Sequence, residues 1–88
     1  MKVVFRTSFV RDIKKIKDQN LLDQLNEIVL NTQAATILHE LPNIKKLSAS
    51  HGCYRIRVQE YRVGLFCSKD VVEFVRFLHR SDAYKFFP

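Results

Sequence analysis

Residues 53–66, CYRIRVQEYRVGLF, alternate apolar and polar side chains in two consecutive runs. A period of two marks half-buried strands, because successive side chains point to opposite faces of a sheet. In the first run Tyr54, Ile56 and Val58 share a face, with Cys53, Arg55 and Arg57 on the other. In the second, Tyr61, Val63, Leu65 and Cys67 oppose Arg62, Gly64 and Phe66. The spacing predicts a hairpin with a two-residue turn at Gln59–Glu60, although the favoured Asn-Gly chemistry is missing. That register pairs Val58 with Tyr61 and Arg57 with Arg62. It sets Arg55 opposite Gly64, which leaves space above it. A further turn at Lys69–Asp70 leads into VVEFVRFL, residues 71–78, apolar on both faces as a central strand is. The pattern leaves the face of Arg76 open.

Upstream, KVVFR at residues 2–6 reads as a short strand, and Thr7 or Ser8 is expected to cap a helix. Phe9, Ile13 and Ile16 recur at helical spacing. A break near Asp18–Asn20 precedes a second helix, where Leu21, Leu22, Leu25, Ile28 and Val29 form one stripe. Residues 31–52 read as an irregular connection with room for a short helical turn around Ala34–Leu38; Pro42 opposes a helix through Leu41. The tail HRSDAYKFFP reads as a loop or one helical turn. The expected fold is α+β in a single domain spanning residues 1–88, in the order β-α-α-β-β-β. A helical hairpin covers one face of a twisted, mostly antiparallel four-stranded sheet. It meets Tyr54, Ile56, Val58, Val63 and Leu65, and the arginines face away. Cys53 and Cys67 then lie on opposite faces, which opposes a disulfide.

Charge narrows the partners. The chain of 88 residues carries a formal net charge of +6, which points first to a polyanion. The excess is shared along the chain, so there is no separate basic tail. No apolar run approaches the roughly 20 residues of a membrane span. Arg6 interrupts the apolar start, which opposes a signal peptide. Two cysteines in that setting read as reduced thiols of a cytoplasmic protein. The scattered histidines and the absence of a CxxC spacing give no metal-ligand pattern, so neither metal nor other cofactor is expected.

Arg57 beside Arg62 costs about 1 kcal/mol or less, because like charges directly across a strand pair repel. A solvated face with arginine stems over apolar neighbours is the plain reading. Anion binding is the sharper one, since the guanidinium fork matches phosphate. His79, Arg80 and Tyr84 follow the last strand, and its end can reach the arginine face if it lies beside residues 61–67. Arginines there would offset charge developing on a phosphorane. A histidine could move protons, and a tyrosine could stack on a base or donate one. With no acidic cluster to hold Mg²⁺, the chemistry expected is attack by an RNA 2′-OH on the adjacent phosphate. Lys45 and Lys46 are candidates for RNA phosphate contacts. His39 and His51 read as surface residues, Tyr54 and Tyr61 as sheet packing, Glu60 as a turn residue. Phe86 and Phe87 read as an apolar anchor that fixes Tyr84.

The paired YRIR and YRVG of the hairpin, KKL before a variable loop, and the terminal VRFLHRSDAYKFF resemble the RelE/ParE superfamily of toxins, closest to RelE-like mRNA interferases. The resemblance covers essentially the whole chain. It implies a concave basic face that binds mRNA in the ribosomal decoding site and cuts it there, held in check by a cognate antitoxin with an acidic binding segment. Operator DNA would be met only through the toxin–antitoxin complex. It implies that Arg55 and Arg57 stand at the two basic positions of the first hairpin strand, and Arg62 at the arginine after the hairpin tyrosine. Arg80 and Tyr84 match the arginine and aromatic after the last strand. His79 occupies a position that is histidine in some relatives and lysine in others. Relatives of the best-known type have lysines where this chain has Arg55 and Arg57. Arginine does not release its proton, so His79 is the expected base, with Tyr84 as acid or stacking partner. Two alternatives stay open: a ParE-like, non-enzymatic gyrase poison, and an RNA- or antitoxin-binding module without cleavage.

Overall fold

The structure is a computed structural model that describes residues 1–48 and 51–87. Residues 49, 50 and 88, in the polar stretch after Leu47 and at the chain end, lie outside the described residues. The elements are β1 (Lys2–Phe5), α1 (Thr7–Ile13), α2 (Gln19–Ala34), β2 (Ile44–Lys46), β3 (Cys53–Val58), β4 (Tyr61–Ser68), β5 (Val71–His79) and α3 (Arg80–Phe86). They form a five-stranded sheet of order β1-β5-β4-β3-β2. The α+β class stands. The fifth strand is β2, inside the segment that reads as irregular; three residues are too few to show a period. The helical turn expected there is a single 3₁₀ turn at Leu38–Glu40.

The hairpin has the predicted register, with Val58 opposite Tyr61, Arg57 opposite Arg62 and Arg55 opposite Gly64. Ile56, Val58, Val63 and Leu65 are buried with Phe9, Leu21 and Leu25 from the helices, so the apolar face meets the helices as expected. Fully burying each such side chain contributes about 1.5–3 kcal/mol. Strand β5 lies between β1, which it pairs in parallel, and β4. Its registry slips between Gly64 and Leu65: Leu65 pairs with Phe74, but Gly64 pairs with Arg76. The extra residue, Val75, is a β-bulge. Phe74 and Phe77 therefore both enter the main core. Val75 instead packs on the other face, with Leu47, Cys53 and Phe87.

Beyond Phe74, β1 no longer covers the edge of β5, and α1 takes over. The Arg6 N–H donates to Phe74 O at 3.0 Å. Ser8 Oγ donates to Val75 O at 2.6 Å. Asp12, 5% exposed, accepts the Phe77 N–H at 2.9 Å and the Arg76 guanidinium at 2.8 and 3.2 Å. Each buried edge group thus has a partner, which the cost of an unpaired one demands. The expected cap at Thr7 or Ser8 is corrected here. Arg6 occupies the cap position without a side-chain bond, because the Ser8 hydroxyl is spent on β5. Asp18 caps α2 through the Leu21 N–H.

On the far face Gly64 leaves a gap that the Phe87 ring fills. A Cβ at Gly64 would lie 2.7 Å from the ring, closer than van der Waals contact permits. Phe87 is buried and Phe86 is 60% exposed, so the tail anchor is Phe87 alone. Cys53 and Cys67 are free and pack on opposite faces. Burial, then the charge of Asp70, pushes the Cys67 thiol up.

Two stability measurements test these contacts. Asp12→Ala strands the Arg76 guanidinium and the Phe77 N–H, and should lower urea-unfolding stability by about 2–3 kcal/mol. Wild-type stability in that variant would show that α1 does not hold the edge. Gly64→Ala should cost about 1–3 kcal/mol by overpacking and release the tail, seen as faster proteolysis after Lys85 with the rest of the chain protected.

Candidate functional site: a basic cavity on the open sheet face

Lys45 pairs with Arg55 across β2 and β3, and Arg57 with Arg62 across β3 and β4. Two cross-strand rows of cations therefore stand side by side on the face away from the helices. Among the described residues nothing acidic lines the cavity they form, about 350 Å³, which is bounded by Asn43, Lys45, Arg55, Arg57, Arg62 and Tyr84 with Ile44. The repulsion is managed by geometry. Arg62 Nη1 turns back to donate to the carbonyls of Gln59 and Tyr61 at 3.0 and 2.9 Å. Arg57 Nη2 donates to Asn43 Oδ1 at 3.4 Å. The Arg55 guanidinium lies 4.8 Å from the centre of the Tyr84 ring, a cation–π contact of about 0.5–1 kcal/mol at such an exposed place.

Tyr84 reaches this position because of the tail. His79 Nδ1 accepts the Ser81 N–H and starts α3. About two turns later Phe87 drops onto Gly64, and Tyr84, 60% exposed, is left above Arg55. A second hollow, of about 310 Å³, continues past Arg55 and Tyr84 to Lys46 and Ser48. Thus Lys45, Arg55, Arg57, Arg62 and Tyr84 come together, with Lys46 alongside.

His79 and Arg80 do not join them. His79 is paired opposite Tyr61 and meets its ring edge-on at 5.7 Å. It lines a cavity of about 340 Å³ with Asp12 and Lys15 of α1, Arg76 and Asp82, on the helix side of the sheet. The bulge is the reason. Continuing the Lys69–Asp70 turn without it would carry His79 to the arginine face, and one inserted residue flips every later side chain. In that helix-side cavity the hydrogen bond that Arg76 donates to Asp12 raises the Arg76 pKa above its ordinary value. Arg80 is held at the hairpin turn. Its N–H donates to Glu60 O at 2.7 Å, and its Nε lies 2.9 Å from Glu60 Oε2. Glu60 is a turn residue, as expected. His39 packs edge-on to Tyr54, 6.0 Å away, and His51 is exposed. Among the described residues no three His, Cys, Asp or Glu side chains gather as a metal site.

Asn43 is the cavity residue that the sequence pattern misses. It follows Pro42, with φ at 61°, and that Pro-Asn pair is a turn signal which an otherwise unreadable segment hides.

No helix is long and apolar enough to cross a membrane among the described residues. The family described as the ParE toxin of the type II toxin–antitoxin system, parDE, matches residues 3–84. Toxin RelE3 of Methanocaldococcus jannaschii is 37% identical to the chain over 89 residues, covering 100% of both. A chain of the RelB–RelE antitoxin–toxin complex from Methanococcus jannaschii superposes with a TM-score of 0.83 at 33% identity, over 97% of this chain and 99% of that one. YafQ from E. coli strain BL21(DE3) shares the fold, with a TM-score of 0.67 at 18% identity over 94% and 97% of the two chains. A match this complete, on a chain whose cations gather on one face of this fold, makes it a member of the RelE/ParE superfamily, a ParE-family toxin of a type II toxin–antitoxin pair.

Proposed function

We propose that the chain is a cytoplasmic endoribonuclease that cuts mRNA held on the ribosome, and that the basic cavity is its active site. The observation that carries the reading is the convergence of Lys45, Arg55, Arg57, Arg62 and Tyr84 on one cavity with no carboxylate among its described lining residues. A phosphodiester brings the missing counter-charge. As the 2′-oxygen attacks the adjacent phosphorus its proton passes to solvent water, negative charge grows on the non-bridging oxygens, and Arg57 and Arg62 offset it. The bond to the 5′-oxygen breaks, leaving a 2′,3′-cyclic phosphate and a 5′-hydroxyl. The proton for that hydroxyl comes from Tyr84 or Lys45, the lining groups that exchange protons where guanidiniums do not. Arg55 presents the Tyr84 ring for base stacking, and Lys46 extends the phosphate track. Arg80 supports the site from the rim through Glu60. His79 acts through the α3 cap, which positions Tyr84, and not as the base.

The partner that silences the toxin is an antitoxin, as in the RelB–RelE and DinJ–YafQ complexes. Its binding segment is acidic, to match the cavity, and operator DNA is reached only through that complex. The match to the ParE family favours a second reading, a gyrase poison that uses the fold without cleavage.

A toeprint on purified translating ribosomes separates the two. Wild-type protein should create a new mRNA end in the decoding site. Arg57→Ala/Arg62→Ala should reduce cutting at least a hundredfold, Tyr84→Ala should do so by a similar factor, and His79→Ala by only a few-fold. Message left whole at saturating protein, with supercoiling by gyrase inhibited, would replace this reading with the second.

A further inference from the structure

The cavity holds one neutral side chain with an amide, Asn43, among its charged and aromatic lining. Its main-chain O accepts the Arg57 N–H at 3.2 Å, which fixes its place opposite Arg57. Its Oδ1 accepts from Arg57 Nη2, so the amide group left to meet a base is the Nδ2 donor pair. A volume of about 350 Å³ is at the small end of ligand sites and suits one nucleotide. For such a nucleotide Arg55, Arg57 and Arg62 offer guanidiniums to the phosphates, and the exposed Tyr84 ring offers a face to the base.

We propose, on the reading of the cavity as an RNA site, that Asn43 selects the base: it favours guanine and uracil over adenine and cytosine. The discrimination lies at one exocyclic position. Guanine O6 and uracil O4 accept a hydrogen bond from Nδ2, whereas the adenine and cytosine amino groups at the same places are donors. A donor facing a donor leaves both unpaired, and one net hydrogen bond in such a site is worth about three- to tenfold in affinity. The left-handed backbone of Asn43 has an ordinary explanation too, since asparagine tolerates that conformation. The two roles separate by substitution. Asn43→Gly keeps the turn and removes the amide. Asn43→Asp keeps the shape and replaces the donors with acceptors.

The test is an NMR titration of the full chain with the four nucleoside 3′,5′-bisphosphates, which need neither ribosome nor cleavage. Wild type should bind the guanosine compound about three- to tenfold tighter than the adenosine one, and uridine tighter than cytidine by a like factor. Shifts should fall on Arg55, Asn43 and Tyr84. Asn43→Gly should equalise both pairs, and Asn43→Asp should reverse them while weakening all four. Equal Kd values within each pair for wild type, discrimination that survives in Asn43→Gly, or no binding would each overturn the proposal. Message left whole in the ribosome assay bears on the nuclease reading alone, because base selection is read here from binding.

Discussion

Strand β5 has a longer edge than β1 can pair, and the way α1 completes it organises the molecule. β1 covers β5 from Val71 to Phe74, and the chain then turns into α1 at Thr7. The next edge groups are served by the Ser8 hydroxyl and the Asp12 carboxylate. Asp12 also holds the partly exposed guanidinium of Arg76, which would otherwise lose its carboxylate partner. Removing one partner of such a pair costs more than the pair itself contributes. The bulge at Val75 is therefore matched to a specific residue on a specific helix. It lets Phe74 and Phe77 both face α1 while Val75 turns to the other side.

That other side is where the protein departs from what stability alone would select. Lys45, Arg55, Arg57 and Arg62 share a sheet face that has no carboxylate among the cavity's described lining residues. The fold tolerates this by directing charge onto carbonyls, an amide oxygen and a ring. Solvent screening limits the remaining repulsion. The apolar part of the face is small, made by Leu47, Cys53, Phe87 and their neighbours, and it serves to seat α3. Gly64 makes the seat possible. Because Arg55 is paired with Gly64, the ring that fills the glycine's space also brings Tyr84 over Arg55.

The hairpin was legible down to its register because its period and its turn length agree, even though the turns use Gln59 and Lys69 in left-handed conformations that a sequence pattern would not choose. The two helices and the central strand were legible for the same reason: each has enough residues to show a period. Strand β2 was not. Ile44–Lys46 has one apolar residue and two lysines, and it is a strand because β3 offers an open edge. The missed Asn43 belongs to the same short stretch. The cap of α1 was misread because a hydroxyl at a helix start can serve either the helix or a neighbour, and the neighbour is 67 residues away in sequence.

The misplaced histidine follows from a single residue. A two-residue turn at Lys69–Asp70 pairs Leu65 with Phe74 with or without a bulge. Past that point the two registers give opposite answers for every side chain. Without the bulge Arg76 enters the core and His79 joins the arginines. With it Phe77 enters the core, Arg76 meets Asp12, and His79 stands beside Tyr61. Burying Phe77 in place of an arginine decides between them, since an aromatic side chain gains from burial what an unpaired charge would lose. Asp12 then gives the displaced arginine its partner. Hydrophobic packing near the middle of β5 thus determines which protonable groups end up at the cavity. It leaves the cavity with guanidiniums, an amine and a phenol, and assigns the imidazole to the helix cap that holds the phenol in place.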